Sequence, residues 1–277
     1  MTSVRRVPGL ATRHHRVLPT FLVIGAQRAG TSTFFYHLCR HPQIARPVKK
    51  EVHFFDHRYW RGVDWYRSFF PTAAAQQRAR RRGGELLGAE ATPYYLFHPA
   101  VPARVAETLP DVLLIAILRN PVDRAYSHYQ RTRDKNAEPL SFEKALAAED
   151  RRLAGVEERL LADPHYRSFH HRYHAYVSRG LYADQLERWF QLFPRERFLV
   201  LRSEDFFTQP AEAYARALAF LGLDPFDPGN YAARNALSYD PLDARLRARL
   251  EERFVEPNQR LARLLDTDLW WVPGAGP

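Results

Sequence analysis

Residues 21–32 read Phe21-Leu22-Val23-Ile24-Gly25-Ala26-Gln27-Arg28-Ala29-Gly30-Thr31-Ser32. A short apolar run closed by glycine predicts a buried parallel strand over Phe21–Ile24. A helix is expected from Thr31 to Arg40, where the His41-Pro42 step disfavours further helical geometry. Strand, glycine loop and helix together place backbone N–H groups and the positive end of a helix dipole at one point, the physical basis of phosphate binding. The glycine spacing is that of a Walker A loop, but Thr31 stands where that motif demands lysine. Arg28 returns a cation to the loop, and the Thr31, Ser32 and Thr33 hydroxyls add donors. Taken alone, the loop suits a phosphate cradle and equally a turn that serves packing.

Outward from this unit, strands are expected over Leu86–Ala89, Val112–Leu118 and Phe198–Leu201. Helices are expected over Val122–Thr132, Phe142–Leu161, His170–Val177, Tyr182–Phe193, Pro210–Leu221 and Pro241–Leu265. Pro47–Pro71 reads as a long loop with a short helical piece, and Gln76–Gly84 as a polar surface stretch. Strands alternating with helices predict an α/β fold: a single domain, residues 20–277, with a central parallel sheet flanked by helices in the phosphate-loop, nucleoside-phosphate-kinase-like manner. Residues 1–19 read as a flexible basic arm. Ligands of such folds bind beyond the carboxyl ends of the strands. Gly25, Thr92 and Arg119 all fall at strand ends, so three motifs are expected to meet in one crevice.

Lys plus Arg total 41 against 31 Asp plus Glu, a formal charge of +10. Such a chain is drawn to polyanions, whether nucleic acid, anionic lipid, acidic glycan or a multiply phosphorylated nucleotide. No recognised nucleic-acid module is present, so a specific nucleic-acid partner is not expected. Cys39 is the only cysteine, which excludes an intramolecular disulfide and a thiolate zinc cluster. Twelve histidines show no metal-ligand spacing, and no metal is expected. The first nineteen residues hold no continuous apolar run, so neither secretory signal nor membrane anchor is read there, and a cytoplasmic setting is expected. Oligomeric state has no signature in the sequence.

After the strand ending at Leu118, Arg119 sits where a cation can face an anion, and Ser127 lies about two turns into the next helix. By themselves these are an ion-pair residue and a helix-surface residue. With the Gly25 loop, they form a second phosphate grip.

The chain resembles the sulfotransferases that use 3′-phosphoadenosine-5′-phosphosulfate, in particular the heparan sulfate and carbohydrate type and its bacterial relatives. Gly25–Ser32 is similar to their 5′-phosphosulfate loop, with Arg28 in place of the usual lysine. Lys50-Glu51-Val52-His53-Phe54-Phe55-Asp56 resembles their acceptor segment, and Leu118–Ser127 their 3′-phosphate motif. Gly62, Trp65-Tyr66, Glu90–Tyr94, Gly180-Leu181-Tyr182 and Glu204-Asp205-Phe206 also match. The resemblance implies that Gln27, Arg28, Ala29, Gly30, Thr31, Ser32, Thr33, Arg119 and Ser127 hold the donor nucleotide. It implies Glu51 as general base, with His53 as substitute base or acceptor-binding residue, and Asp56 and Tyr94 at the acceptor. Arg28 would stabilise the leaving phosphate but is a poor proton source, a role that falls to Lys50 or Lys49. The implied acceptor is a hydroxyl or amine on a glycan, glycolipid or small metabolite. A kinase on the same scaffold is the alternative, against which the absent Walker lysine speaks; a basic nucleic-acid-binding protein ranks below both.

Overall fold

A computed structural model describes residues 9–232, 239–272 and 274. Five parallel strands form one sheet: β1 (Phe21–Gly25), β2 (Ile44–Ala45), β3 (Leu87–Ala91), β4 (Leu113–Leu118) and β5 (Phe198–Arg202), in the order β2-β3-β1-β4-β5. Every residue of β1 is buried, and β4 from Leu114 onward is fully enclosed, as expected of strands covered on both faces. After β1 the chain runs out to one side for β2 and β3, then crosses to the other for β4. Consecutive loops thus leave the sheet on either side of β1, and the crevice at such a switch point is where ligands bind.

The described chain is α/β, as the alternation predicted, with local differences of physical origin. β2 escaped the reading because two residues carry no periodicity. β3 continues through Glu90, a charge that no apolar-run criterion admits to a buried strand. The expected single helix Phe142–Leu161 is three short ones, Phe142–Ala147, Glu149–Leu153 and Val156–Ala162, broken at Ala148 and at Gly155, whose φ is +67°. The long helix expected over Pro241–Leu265 begins at Ala244 and divides at Phe254, a 1 % exposed ring that packs in the core rather than on the helix surface. Gln76–Gly84 lies largely within a helix, Ala73–Arg80, capped by the Thr72 hydroxyl, and Val101–Thr108 adds a helix the sequence did not signal.

The described part of the arm, residues 9–19, contacts the rest of the chain. Leu10–His15 forms a 3₁₀ turn, Arg16 bridges to Thr72, and the Arg16 guanidinium donates to the Phe70 carbonyl at 2.5 Å. Among the described residues, no helix is long and apolar enough to cross a membrane.

Candidate active site

The loop between β1 and the helix Thr31–Leu38 is held by its neighbours' strand ends. Ala26 N–H donates to Ile117 at the end of β4, Leu96 N–H to Ile24, and Thr92 N–H to Val23. A Cβ at Gly25 would stand 2.5 Å from Leu96, so glycine is what permits this approach. Gly30 is the N-cap, with φ +85° and no side-chain cap, leaving the first N–H groups of the helix for another acceptor. The Ser203 hydroxyl, from the end of β5, donates to the Ala29 carbonyl at 3.1 Å. Thr31 and Thr33 are buried, while Gln27, Arg28, Gly30 and Ser32 are half-buried and reach the crevice.

The two phosphate motifs meet. Arg28 Nε donates to Ser127 Oγ at 3.0 Å, and Arg119 Nη1 donates to the Arg28 carbonyl at 3.2 Å. The Asn120 side chain caps the helix Pro121–Asp134, and the Asn120 N–H is held by Glu204. Among the described residues neither Arg28 nor Arg119 is paired with a carboxylate. Burial pushes the Arg28 pKa down, and the nearby Arg119 and Arg131 push it further. Guanidinium groups not paired with a carboxylate and lying close to one another suit a polyanionic ligand, whose charge would offset their repulsion. Arg28 thus reaches Ser127, in the stretch Leu118–Ser127 that the resemblance reads as a 3′-phosphate motif. Lys50 reaches the first turn of the loop's helix: its ammonium lies 2.6 Å from Ser32 Oγ and 3.1 Å from Glu51 Oε1.

The acceptor segment is fixed by backbone and by a buried polar cluster. Glu51 N–H donates to the Ala91 carbonyl, and the N–H of Phe54 donates to the Tyr95 hydroxyl at 3.0 Å. Tyr95 donates in turn to Glu90, which also accepts from Tyr66 and Thr92. Burial pushes the Glu90 carboxyl up despite these donors. Glu51 and His53 both have positive φ, +57° and +56°, and one π-helical turn, Phe54–Arg58, follows. This backbone folds the segment back so that Glu51, His53 and Asp56 line up. His53 Nε2 faces Glu51 at 3.5 Å, and its Nδ1 meets Asp56 Oδ2 at 2.6 Å.

Burial would raise the Glu51 carboxyl, but the bond from His53 and the nearby Lys50 outweigh it and hold it at about 2. Burial would lower His53, yet Asp56 and Glu51 hold it up at about 9. Asp56, its side chain fully buried, is held down at about 2 by His53. Glu51 is half-exposed at the end of this row, the one carboxylate of the three groups open to an incoming molecule. Such a row can receive a proton at Glu51 and stabilise the change through His53.

Two expected acceptor contacts differ. Asp56 is too buried to meet an acceptor and instead orients His53. Tyr94 is 5 % exposed, its hydroxyl bonded to His171 at 2.7 Å, so it forms a wall behind the site. The structure also brings His57 beside Asp56, making a group of three potential metal ligands that sequence spacing did not suggest. The His53 and His57 rings are stacked, 22° from parallel and 5.2 Å apart. Neither ring nitrogen of His57 has a hydrogen-bond partner among the described residues, so the hydrogen-bonded row runs from Glu51 through His53 to Asp56 without it. Sequence reading also missed Arg179. It lies beside the quoted Gly180-Leu181-Tyr182 block, is 3 % exposed, and donates to the Gln27 side chain.

A family model described as a sulfotransferase domain matches residues 18–233. The chain is 34 % identical over 226 residues to mouse heparan sulfate glucosamine 3-O-sulfotransferase 6, covering 80 % of this chain and 58 % of that protein. It is 27 % identical over 319 residues to the membrane-associated sulfotransferase kil1 of Dictyostelium discoideum, covering 92 % and 66 %. The chain thus spans roughly three-fifths to two-thirds of the length of these curated relatives. Among solved structures, a sulfotransferase from Alicyclobacillus acidocaldarius superposes with a TM-score of 0.69 at 31 % identity, covering 91 % of this chain and 98 % of that one.

Proposed function

The chain belongs to the sulfotransferase family, and from that premise we propose that it moves a sulfuryl group from 3′-phosphoadenosine-5′-phosphosulfate to a hydroxyl or amine on a carbohydrate or glycoconjugate. The observation that carries this reading is the Lys50 ammonium, which joins Ser32 of the phosphate loop to Glu51 of the acceptor segment in one hydrogen-bonded path. A cradle for the donor and a base for the acceptor thereby face one point. The heparan sulfate relatives support a glycan acceptor.

When bound, the nucleotide supplies an activated sulfuryl group and departs as 3′,5′-diphosphoadenosine. Loop N–H groups, Ser32 and the uncapped helix N-terminus bind the 5′ end, and Arg28, Arg119 and Ser127 bind the 3′-phosphate. Glu51 accepts the proton of the attacking hydroxyl or amine as the new bond to sulfur forms and the bond from sulfur to the phosphate oxygen breaks. His53, held by Asp56, keeps Glu51 oriented. Lys50 neutralises the charge that develops on the departing oxygen and is placed to protonate it, a step open to an ammonium and closed to a guanidinium. Glu51 ionised at about 2 is a weak base in the free protein, and displacement of Lys50 towards the leaving group would raise its basicity.

The test is incubation with radiolabelled sulfuryl donor and fractionated glycan, glycolipid and small-metabolite acceptors. Label is expected in a carbohydrate-bearing fraction; transfer to none of them overturns the reading.

A further inference from the structure

We propose that Arg179 is a positioning residue that orients the Gln27 amide in the phosphate loop, committing its –NH₂ group to the bound anion. The inference rests on the nucleotide-binding reading above.

Arg179 lies in the 3₁₀ turn Ser178–Gly180 and reaches Gln27, 152 positions away in sequence. One terminal nitrogen donates to Gln27 Oε1. The other donates to the carbonyls of His171 at 2.6 Å and Arg172 at 2.8 Å. The guanidinium lies 4.8 Å from the Tyr94 ring centre and 4.9 Å from that of Phe97. No carboxylate is paired with it among the described residues. Burial pushes its pKa down to about 9, which still leaves it charged at neutral pH. An enclosed guanidinium with no carboxylate bonded to it is costly to keep, and an apolar side chain could fill the same space between two rings.

What the cation contributes is direction. A guanidinium only donates, so an amide that meets it must turn its oxygen inward. Rotating the amide by half a turn would set donor against donor. The –NH₂ of Gln27 is therefore left for the other side, and Gln27 is half-buried at the crevice rather than enclosed. A glutamine without this partner samples both amide orientations in the empty site, and a bound anion must then turn and hold it. Arg179 removes that second orientation before the ligand arrives, the advantage of a preorganised site. The two carbonyl contacts and the two rings in turn prevent Arg179 itself from swinging away.

The experiment titrates 3′,5′-diphosphoadenosine calorimetrically into the full chain and its Arg179→Met, Gln27→Ala and doubly substituted forms. Arg179→Met and Gln27→Ala are each expected to weaken binding by about tenfold, with the double variant little worse than either. Arg179→Lys should recover part of the loss. In turnover, the donor KM should rise while kcat is largely kept, because Arg179 is not placed at the acceptor. Additive losses, or unchanged affinity in folded Arg179→Met, overturn the inference. Should Arg179→Met not fold, Gln27→Glu decides: it keeps an acceptor for Arg179 but removes the donor, so unchanged affinity there also overturns it. Wild-type chain that fails to bind the nucleotide overturns the reading and the inference together, whereas normal wild-type binding with an additive cycle overturns the inference alone.

Discussion

Lys50 Nζ stands 2.6 Å from Ser32 Oγ, so a lysine of the acceptor segment reaches back to the first turn of the helix behind the phosphate loop. The Walker position is occupied by Thr31, and Arg28 turns to Ser127 instead. On the proposed reading the cation at the leaving group would come from a different part of the chain, and unlike arginine it can give up a proton.

Replacing Lys50 with alanine should lower kcat by roughly 10²–10⁴-fold, the usual worth of a placed proton donor. Lys50→Arg keeps the charge but should restore only a small part of this, since guanidinium does not deprotonate near neutral pH. Steady-state transfer of labelled sulfuryl measures both, and full activity in Lys50→Arg would exclude the proton-donor role.

Glu51→Gln should abolish turnover to a similar extent while leaving diphosphoadenosine affinity within about threefold of wild type, as the proposed role of Glu51 at the acceptor requires. Calorimetry and a rate assay on the same preparation separate the two. Normal transfer by this variant would remove Glu51 from the role of base.

The row of three titrating groups makes stability depend on pH with a definite sign. His53 is raised from 6.5 to about 9, so its stabilising contribution is complete below pH 6.5 and is lost as pH rises through 9. Asp56 is lowered from 3.8 to about 2, and its contribution is complete above pH 3.8 and lost as pH falls through 2. Thermal midpoints should therefore decline between pH 6.5 and 9, and Asp56→Asn should flatten that decline while bringing the His53 titration, followed by NMR, back towards 6.5. A His53 titration unmoved by Asp56→Asn would contradict the relay.

Arg119→Ala should weaken diphosphoadenosine binding by roughly ten- to a hundredfold, the worth of a charge-assisted contact, and leave adenosine 5′-phosphosulfate nearly unaffected. The ratio of the two affinities is the measurement, because it isolates the 3′-phosphate. Equal losses for both ligands would place Arg119 elsewhere.

Gly30→Ala forces a side chain onto φ +85° and sets a Cβ 2.8 Å from the Phe207 ring. The backbone cost alone is about 1–2 kcal/mol. Phe207 is half-exposed and can swing aside, so adding Phe207→Ala should recover little of the lost thermal midpoint. Full recovery would show that contact with the ring, not backbone conformation, sets the cost.

Much of the site was legible because its parts are local. The stretch from Phe21 to Ser32 carries strand, turn and helix cap within twelve positions, each set by apolar pattern or backbone freedom. Asn120-Pro121 announces a helix start just after a strand for the same reason. The acceptor segment was found by resemblance, since nothing in the periodicity of Lys50–Asp56 separates a base from a solvated glutamate. Asp56 and Tyr94 were placed at the acceptor by the same resemblance. Their burial depends on what packs over them, which a sequence does not list.

The sequence by itself determined a phosphate-loop α/β sheet and the three strand ends that meet at its crevice, because strand burial, helix capping and turns depend on near neighbours. Only the tertiary structure decided which polar side chain each cation reaches. Arg28, Lys50 and Arg179 carry their charges at the ends of long side chains, and packing sends these ends to Ser127, Ser32 and Gln27. The direction of such a side chain is set by walls contributed from distant positions, so it becomes readable only once the chain has folded.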